Sequence, residues 1–369
     1  MRARTTTALA LLLALTACGG TGSPDREPRP DAGTGATGGT GATGGAGATG
    51  GTADDPVAVE PTTALLDWSD TGTEAGTRHL RGPEWEARGD EGGTRVELEG
   101  PGGSADVVAG PGRTISEVLM SEDWAVVVRQ DQAETAPSRV TVVGLATGAT
   151  SEVTSPPAAS GGSWALTGGD LRYPTFVDGY YCLATYALAD SNGEDGWCAP
   201  RDTGWSGLTA SDHGVGMMTF DDARPVACRT VNLLDDSGVP QPVEGPEDCI
   251  GWDVAATADG HVWSEVPKPR RQEEARFHAV ADGGVFDLGP GTTGTATPCG
   301  DSVFFVRDPQ GSDEPARLMR WAPGHTLEVA YESPSVGNAF LGEPACAGDV
   351  LTLSSFGERG DEQVWAPVA

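Results

Sequence analysis

Short alternating apolar runs, separated by turn residues, recur along the chain from about residue 62 to its end. In each repeat a strand-like run leads to a large apolar residue, a polar turn that usually ends in glycine, and a second short run. Such turns between two alternating runs predict β-hairpins. The large apolar residue recurs every 41 to 47 residues, at Leu98, Leu145, Leu188, Leu234, Val280, Trp321 and Trp365.

A second column of residues runs out of phase with the first. An aspartate opens a strand-like run every 42 to 48 residues, at Asp123, Asp170, Asp212, Asp259, Asp301 and Asp349. Each repeat therefore predicts strand A, an aspartate turn, strand B, a variable loop, strand C, a hairpin turn and strand D. Four strands in about 45 residues are typical of a β-propeller blade. We interpret the aspartates as caps of tight turns, not as a metal-binding ring.

The two columns together predict an all-β, seven-bladed propeller. The last repeat ends at Ala369 after its third strand, so its outer strand has to come from elsewhere. Residues 62–68 precede the first blade, and we expect them to supply that strand, which would remove an open sheet edge. A pair of β-sandwiches is the alternative, and the near-constant hairpin spacing disfavours it.

Two of the runs resemble a known family of repeats. Residues 121–128 (SEDWAVVV) and 257–263 (TADGHVW) are similar to the turn-and-strand motif of TolB-type and WD40-like propellers. The resemblance covers residues 62–369 and lacks the Gly-His and Trp-Asp pairs of WD40 repeats. It implies the propeller architecture only, because this fold carries both binding proteins and enzymes.

The first 17 residues resemble an export signal. Arg2 and Arg4 precede an apolar run, residues 8–15, that is too short to span a bilayer. The motif LTAC, residues 15–18, resembles a bacterial lipobox, in which the cysteine becomes the lipidated N-terminus. We expect lipidation of Cys18, with more than one acyl chain for stable anchoring at the outer face of the cell membrane. An ordinary secretory signal is the alternative.

Residues 18–60 form a segment of very different composition. They are nearly all Gly, Thr, Ala, Pro and Asp, with no aromatic side chain. Such a segment buries too little apolar surface to offset its ordering entropy. We therefore expect a lipidated, disordered tether, followed by one domain over residues 61–369.

The charge of the chain restricts its partners. Asp and Glu number 54 against 23 Lys and Arg, for a net charge of −31 at pH 7. Repulsion argues against nucleic acid as a partner, and against contact of the propeller itself with an anionic membrane. The excess of arginine over lysine, with abundant Gly and Ala, suggests a GC-rich genome such as that of an actinobacterium.

Six cysteines follow Cys18, and an even number in an exported chain predicts disulfides. The repeat places one cysteine on strand C and one on strand D in each of blades 3 and 4. The other two lie at matching ends of the inner strands of blades 6 and 7. A cysteine zinc site is the alternative, but the chain has no C-x-x-C motif. The expected pairs are Cys182–Cys198, Cys228–Cys249 and Cys299–Cys346.

The sequence has no G-x-S-x-G nucleophile elbow, no H-E-x-x-H motif, no phosphate-binding glycine loop and no dinucleotide-binding fingerprint. His213 and His261 follow turn aspartates at equivalent places in neighbouring blades, but we interpret them as solvated turn residues and not as a pair. Residues 190–195 are similar to a calcium loop, although Asp195 stands where glycine is required. We expect no metal and no cofactor.

We expect the binding surface on the face formed by the B–C and D–A loops. Most tryptophans are interpreted as packing between blades, with Trp197 and Trp205 as the best candidates for exposed aromatics. The variable B–C loops span residues 131–138, 177–181, 221–225, 267–274, 308–315 and 356–362. The candidate binding residues on this face are Tyr180, Trp205, Asp221, Asp222, Arg270, Arg271 and Asp308.

These features favour a monomeric binding or scaffolding lipoprotein of the cell envelope. Its expected partner is another envelope protein or an extracellular ligand. The alternative is an extracellular propeller hydrolase or lyase. That function would require histidine and acidic side chains to meet at the mouth of the channel.

Overall fold

A computed structural model of the protein describes residues 56–221, 223, 226–268 and 271–368. The expected signal, Cys18, most of the expected tether and the candidate residues Asp222 and Arg270 lie outside the described residues.

Three two-residue strands precede the first blade: β1 (Val57–Ala58), β2 (Thr62–Thr63) and β3 (Ser69–Asp70). We call residues 57–70 the N-terminal strap. Blades 1 to 3 follow, with four strands each. Blade 1 contains β4 (His79–Arg81), β5 (Glu86–Gly89), β6 (Arg95–Gly100) and β7 (Gly103–Val108). Blade 2 contains β8 (Arg113–Met120), β9 (Trp124–Asp131), β10 (Arg139–Gly144) and β11 (Ala149–Glu152). Blade 3 contains β12 (Ala165–Thr167), β13 (Asp170–Val177), β14 (Tyr180–Ala187) and β15 (Asn192–Cys198).

Blades 4 to 7 repeat the same plan, and a single 3₁₀ turn (Gln272–Glu274) lies between strands of blade 5. Blade 4 contains β16 (Thr203–Ser211), β17 (Gly214–Asp221), β18 (Arg229–Leu234) and β19 (Pro240–Pro242). Blade 5 contains β20 (Gly251–Thr257), β21 (Gly260–Glu265), β22 (Arg276–Ala281) and β23 (Gly284–Pro290). Blade 6 contains β24 (Thr297–Cys299), β25 (Ser302–Arg307), β26 (Pro315–Ala322) and β27 (Thr326–Val336). Blade 7 contains β28 (Phe340–Leu341), β29 (Ala345–Ala347), β30 (Val350–Phe356) and β31 (Glu362–Pro367).

The seven blades form a ring of antiparallel four-stranded sheets, which confirms the predicted fold class. All six aspartates of the second column lie at the turn between strands A and B. The large apolar column lies where strand C approaches its turn to strand D. Hydrophobic clusters fill the interfaces between successive blades. Phe277, Phe305 and Trp321, for example, belong to the cluster between blades 5 and 6.

An N-terminal strand closes the ring, as expected, but residues 62–68 are not that strand. The outer strand of blade 7 is β3, whose Ser69 pairs with Trp365. Before it, β1 adds in parallel to β23 of blade 5, and β2 adds in parallel to β27 of blade 6. Within the residues that the structure describes, pairing is thus already present at Val57, before the expected domain boundary. The strap pairs with blades 5, 6 and 7.

The three expected cysteine pairs lie at disulfide-bonding distance. Cys182 and Cys198 join β14 to β15, and Cys299 and Cys346 join the inner strands of blades 6 and 7. Cys249 differs from its expected place on strand D: it follows β19, in the connection to blade 5, because β19 ends early at Pro242. The disulfides indicate an extracytoplasmic location. No helix within the described ranges is long and apolar enough to span a membrane.

Candidate functional site

The strands A of the blades surround a central channel with a cavity of about 470 Å³. Their alternating pattern places one set of side chains toward the channel and the other into the gaps between blades. The channel wall is therefore partly apolar. Its partly exposed apolar residues include Leu208 of blade 4, Pro298 of blade 6 and Ala345 of blade 7.

A second cavity of about 340 Å³ lies at the end of the channel where strands A turn into strands B. The aspartate column is responsible for its character, because the A–B turns converge there. The charged residues of its lining are all acidic: Glu122, Asp123, Asp212 and Asp349.

Two further carboxyl groups lie inside the channel. Glu117 is on β8, just after a bulge in its pairing with β9, and Glu343 precedes β29 in blade 7. They are the charged residues in the lining of the larger cavity. Asp253, on β20 of blade 5, also acts electrostatically on Glu343.

Burial makes these carboxyl groups weak acids. Glu343 is accessible from the channel but surrounded by protein, and this loss of water, with the charges of Glu117 and Asp253, raises its pKa to about 7. Burial also raises the pKa of Glu117, although the nearby Arg78 opposes the shift. For Asp253, burial raises the pKa to about 6, against hydrogen bonds that stabilise the charged form.

Asp253 is fixed in place by its hydrogen bonds. The hydroxyl of Ser264 donates to Oδ2 over 2.6 Å, and the backbone N–H of Gly294 donates to Oδ1 over 2.9 Å. These bonds connect blade 5 to the loop that leads into blade 6. These hydrogen bonds therefore hold the Asp253 carboxyl group in one position.

The arrangement suits a cation that has an apolar part. A positive charge near Glu117 and Glu343 would favour their ionised forms, and apolar walls would contact the rest of the ligand. Since low-dielectric walls weaken screening, the acidic mouth would attract cations toward the interior.

The candidate loop residues lie apart from this channel. Tyr180 accepts a hydrogen bond from Arg201 over 3.2 Å, and Arg271 pairs with Glu274 over 2.7 Å. Asp308 accepts a hydrogen bond from Thr292 over 2.7 Å. These contacts hold separate loops of blades 3, 5 and 6, so the structure does not bring the residues together.

Asp221 shapes its own loop. It accepts backbone hydrogen bonds from Ala223 and Cys228 over 2.9 and 2.8 Å. These bonds, led by that from Cys228, lower the pKa of its carboxyl. These contacts explain Asp221 as a residue that stabilises the turn of its own loop.

The expectation that Trp205 is an exposed aromatic is wrong. Its side chain is 2% exposed and packs on Tyr181, with ring centroids 4.9 Å apart, because β16 turns it into the interface between blades 3 and 4. Trp197 is half-buried beside the same cluster. The exposed aromatic in this region is Phe176, at 58%.

The two histidines singled out in the sequence are not brought together. His213 lies 3.4 Å from Asp301 beside the channel mouth. His261 is buried instead of solvated, and its Nε2 lies 2.9 Å from the carbonyl oxygen of Glu244. Burial lowers the pKa of His261, so its ring is neutral at pH 7.

A further histidine, His79, contacts both a hydroxyl and an acid. Its Nδ1 lies 3.2 Å from Thr73 Oγ1, and its Nε2 contacts Glu86. The side chain is completely buried, and burial is the main cause of its lowered pKa. Thr73 also contacts Gln363 of blade 7. The group therefore joins blade 1 to blade 7 where the ring closes.

Sequence reasoning missed the acidic residues of the channel, although a signal was present. Glu117 and Asp253 are single acids within otherwise mostly apolar strands A. Because strand A is innermost in every blade, such an acid either faces the channel or lies buried between blades. Glu343 lies in an irregular segment between β28 and β29, where strand periodicity gives no guide.

Comparisons with known proteins show the fold alone. No protein-family model matches the sequence, and no curated protein matches it significantly. The β-propeller domain of the Trilobed protease from Pyrococcus furiosus aligns with a TM-score of 0.55 and 12% identity, over 79% of this chain and 94% of that one. A prolyl endopeptidase aligns with a TM-score of 0.53 and 14% identity, over 82% of this chain but only 47% of its own. TolB from Acinetobacter baumannii aligns with a TM-score of 0.42 and 12% identity, over 79% of this chain and 78% of that one.

Proposed function

We propose that this protein is a lipid-anchored, extracytoplasmic binding protein whose channel receives a cationic group on an apolar stem. The observation that carries the proposal is the channel, where acidic side chains are the charged groups of a lining that also includes apolar side chains such as Leu208 and Pro298. A lysine or arginine side chain of an envelope partner has this chemistry.

The size of the channel favours an organic cation over a bare ion. A single water molecule occupies about 30 Å³ of liquid, whereas small-molecule sites span roughly 300–1,000 Å³. The cavity of about 470 Å³ falls in the second range. It would hold one or two side chains of a protruding segment.

The pKa of Glu343 links binding to pH. Its carboxyl titrates at about 7, so it carries only part of a negative charge near neutrality. A bound cation would favour ionisation and release a proton. Binding should therefore strengthen as the pH rises from 6 to 8.

Location and anchoring complete the proposal. The lipobox-like motif ending at Cys18 supports lipid anchoring, and the three disulfides agree with a site outside the cytoplasm. We propose a monomer, with no nucleic-acid partner. A hydrolase or lyase ranks second, because the His79 group is buried where the ring closes and His213, beside the channel mouth, lies near one acid, Asp301.

Site-specific photo-crosslinking in the native envelope tests the proposal. A benzophenone amino acid in place of Leu208, inside the channel, should give a discrete adduct with a partner. The same substitution at Val108, exposed on the outer strand of blade 1, is the control and should give none. Glu117→Gln with Glu343→Gln should abolish the adduct. Equal adducts from both positions, or none from the channel, would contradict the proposal.

A further inference from the structure

Three metal-ligating side chains meet where blades 5 and 6 adjoin. Asp259 lies on the A–B turn of blade 5, Asp282 on its C–D turn, and His325 on the C–D turn of blade 6. All three turns lie at the same end of their blades. The fold therefore gathers residues that are 23 to 66 positions apart in sequence.

The distances among these side chains are those of a ligand set. His325 Nε2 lies 2.9 Å from Asp259 Oδ2 and 3.6 Å from Asp282 Oδ2, and the three ligand atoms lie within 4.8 Å of one another. Ligands bound at about 2.1 Å around a tetrahedral zinc ion lie about 3.4 Å apart. Small side-chain adjustments would thus place an ion between them.

Aromatic packing sets the direction of the histidine ring. His325 stacks on Trp321 with an interplanar angle of 6°, and lies 5.3 Å from the ring of Phe286. Trp321 is buried and fixed in the hydrophobic cluster between blades 5 and 6. Because this surface restricts the ring, Nε2 is held toward the two carboxylates.

The charge of the group is unbalanced without a cation. One imidazole carries at most one positive charge, so it cannot neutralise the two carboxylates that lie 2.9 and 3.6 Å from its Nε2. A divalent ion would neutralise both carboxylates and take the Nε2 lone pair. The side chain of Asp282 is 78% exposed, so an ion in solution has access.

We propose that Asp259, Asp282 and His325 bind a divalent transition metal, with zinc as the best match to one imidazole and two carboxylates. Water would complete the coordination. The ion would clamp the turns of blades 5 and 6 together. This inference departs from the expectation that Asp259 only caps a turn, and it is independent of the proposed channel function.

Zinc titration of the full chain tests the site. The protein is purified without a histidine tag, treated with a chelator, and titrated with Zn²⁺ by calorimetry. One saturable site per chain is expected, with an accompanying rise in the melting temperature, since an ion bound to the native state stabilises it.

His325→Gln should weaken zinc binding by about tenfold or more and remove the rise in melting temperature. The matched control is His213→Gln, which removes the histidine of a second His–Asp pair that involves a single acid. His213→Gln should leave the zinc affinity and the zinc-dependent rise in melting temperature unchanged. If His325→Gln fails to fold, Asp282→Asn, on an exposed side chain, replaces it. No saturable binding, or equal affinity in the native chain and the site variant, would overturn the proposal.

Discussion

Trp68 and Leu65 lie three residues apart in the N-terminal strap but have opposite environments. The indole Nε1 of Trp68 donates a hydrogen bond to the carbonyl of Ala330 over 2.8 Å, and its ring meets Tyr331 edge-on at 5.4 Å. Leu65 is 55% exposed. The strap is thus anchored by particular side chains, and its apolar composition alone does not decide which.

Substitution of these two residues should distinguish docking through one particular side chain from a general effect of apolar composition in the strap. Trp68→Ala should lower the free energy of unfolding by about 2 kcal/mol, less than for a fully buried tryptophan because the ring is half-buried. Leu65→Ala should change it by less than about 0.5 kcal/mol. Urea denaturation followed by tryptophan fluorescence and circular dichroism measures both. Equal losses would mean that the strap does not dock through Trp68.

Among the structural elements, the sequence predicts the repeated hairpins and turns of the blades, but it does not predict the short strands of the N-terminal strap. Seven hairpins and six aspartate turns recur at regular spacing, so their phase could be established from several copies. The strap strands have two residues each, too short for any periodicity. Their positions depend on the edges of blades 5 to 7, which only the folded ring provides.

The candidate site shows the same limit. Trp205 is expected from the sequence to be an exposed aromatic, yet the strand that carries it buries its side chain between blades 3 and 4. Glu117 and Glu343 are 226 residues apart in sequence and meet only because the ring closes. Their convergence follows from the arrangement of all seven blades, so no local pattern predicts it.

For the whole molecule, the proposed lipid anchor at Cys18 gives a direct prediction. The lipobox-like motif predicts that Cys18→Ala blocks lipidation and releases the protein from the membrane, since the anchor would be the acyl chains. Metabolic labelling with a clickable fatty acid, followed by fractionation, measures both effects. A variant labelled as strongly as the native protein would exclude Cys18 as the acceptor.

Recognition of a cation by the channel has to be distinguished from general attraction of cations to a protein with a net charge of −31. An acidic surface attracts any cation weakly, so a tetralysine peptide has to be compared between variants of equal charge. Glu117→Gln with Glu343→Gln removes two acids from the channel. Glu194→Gln with Asp195→Asn removes two from the exposed outer strand of blade 3.

Calorimetric titration of tetralysine at 0.15 M salt, at pH 6 and pH 8, is the most direct measurement. We expect binding to be stronger at pH 8, because Glu343 ionises, and to weaken about tenfold, or about 1.4 kcal/mol, in the channel variant. The outer-strand variant should bind as the native protein does. Equal affinities for the two variants, or no change with pH, would contradict the claim that the channel is the binding site.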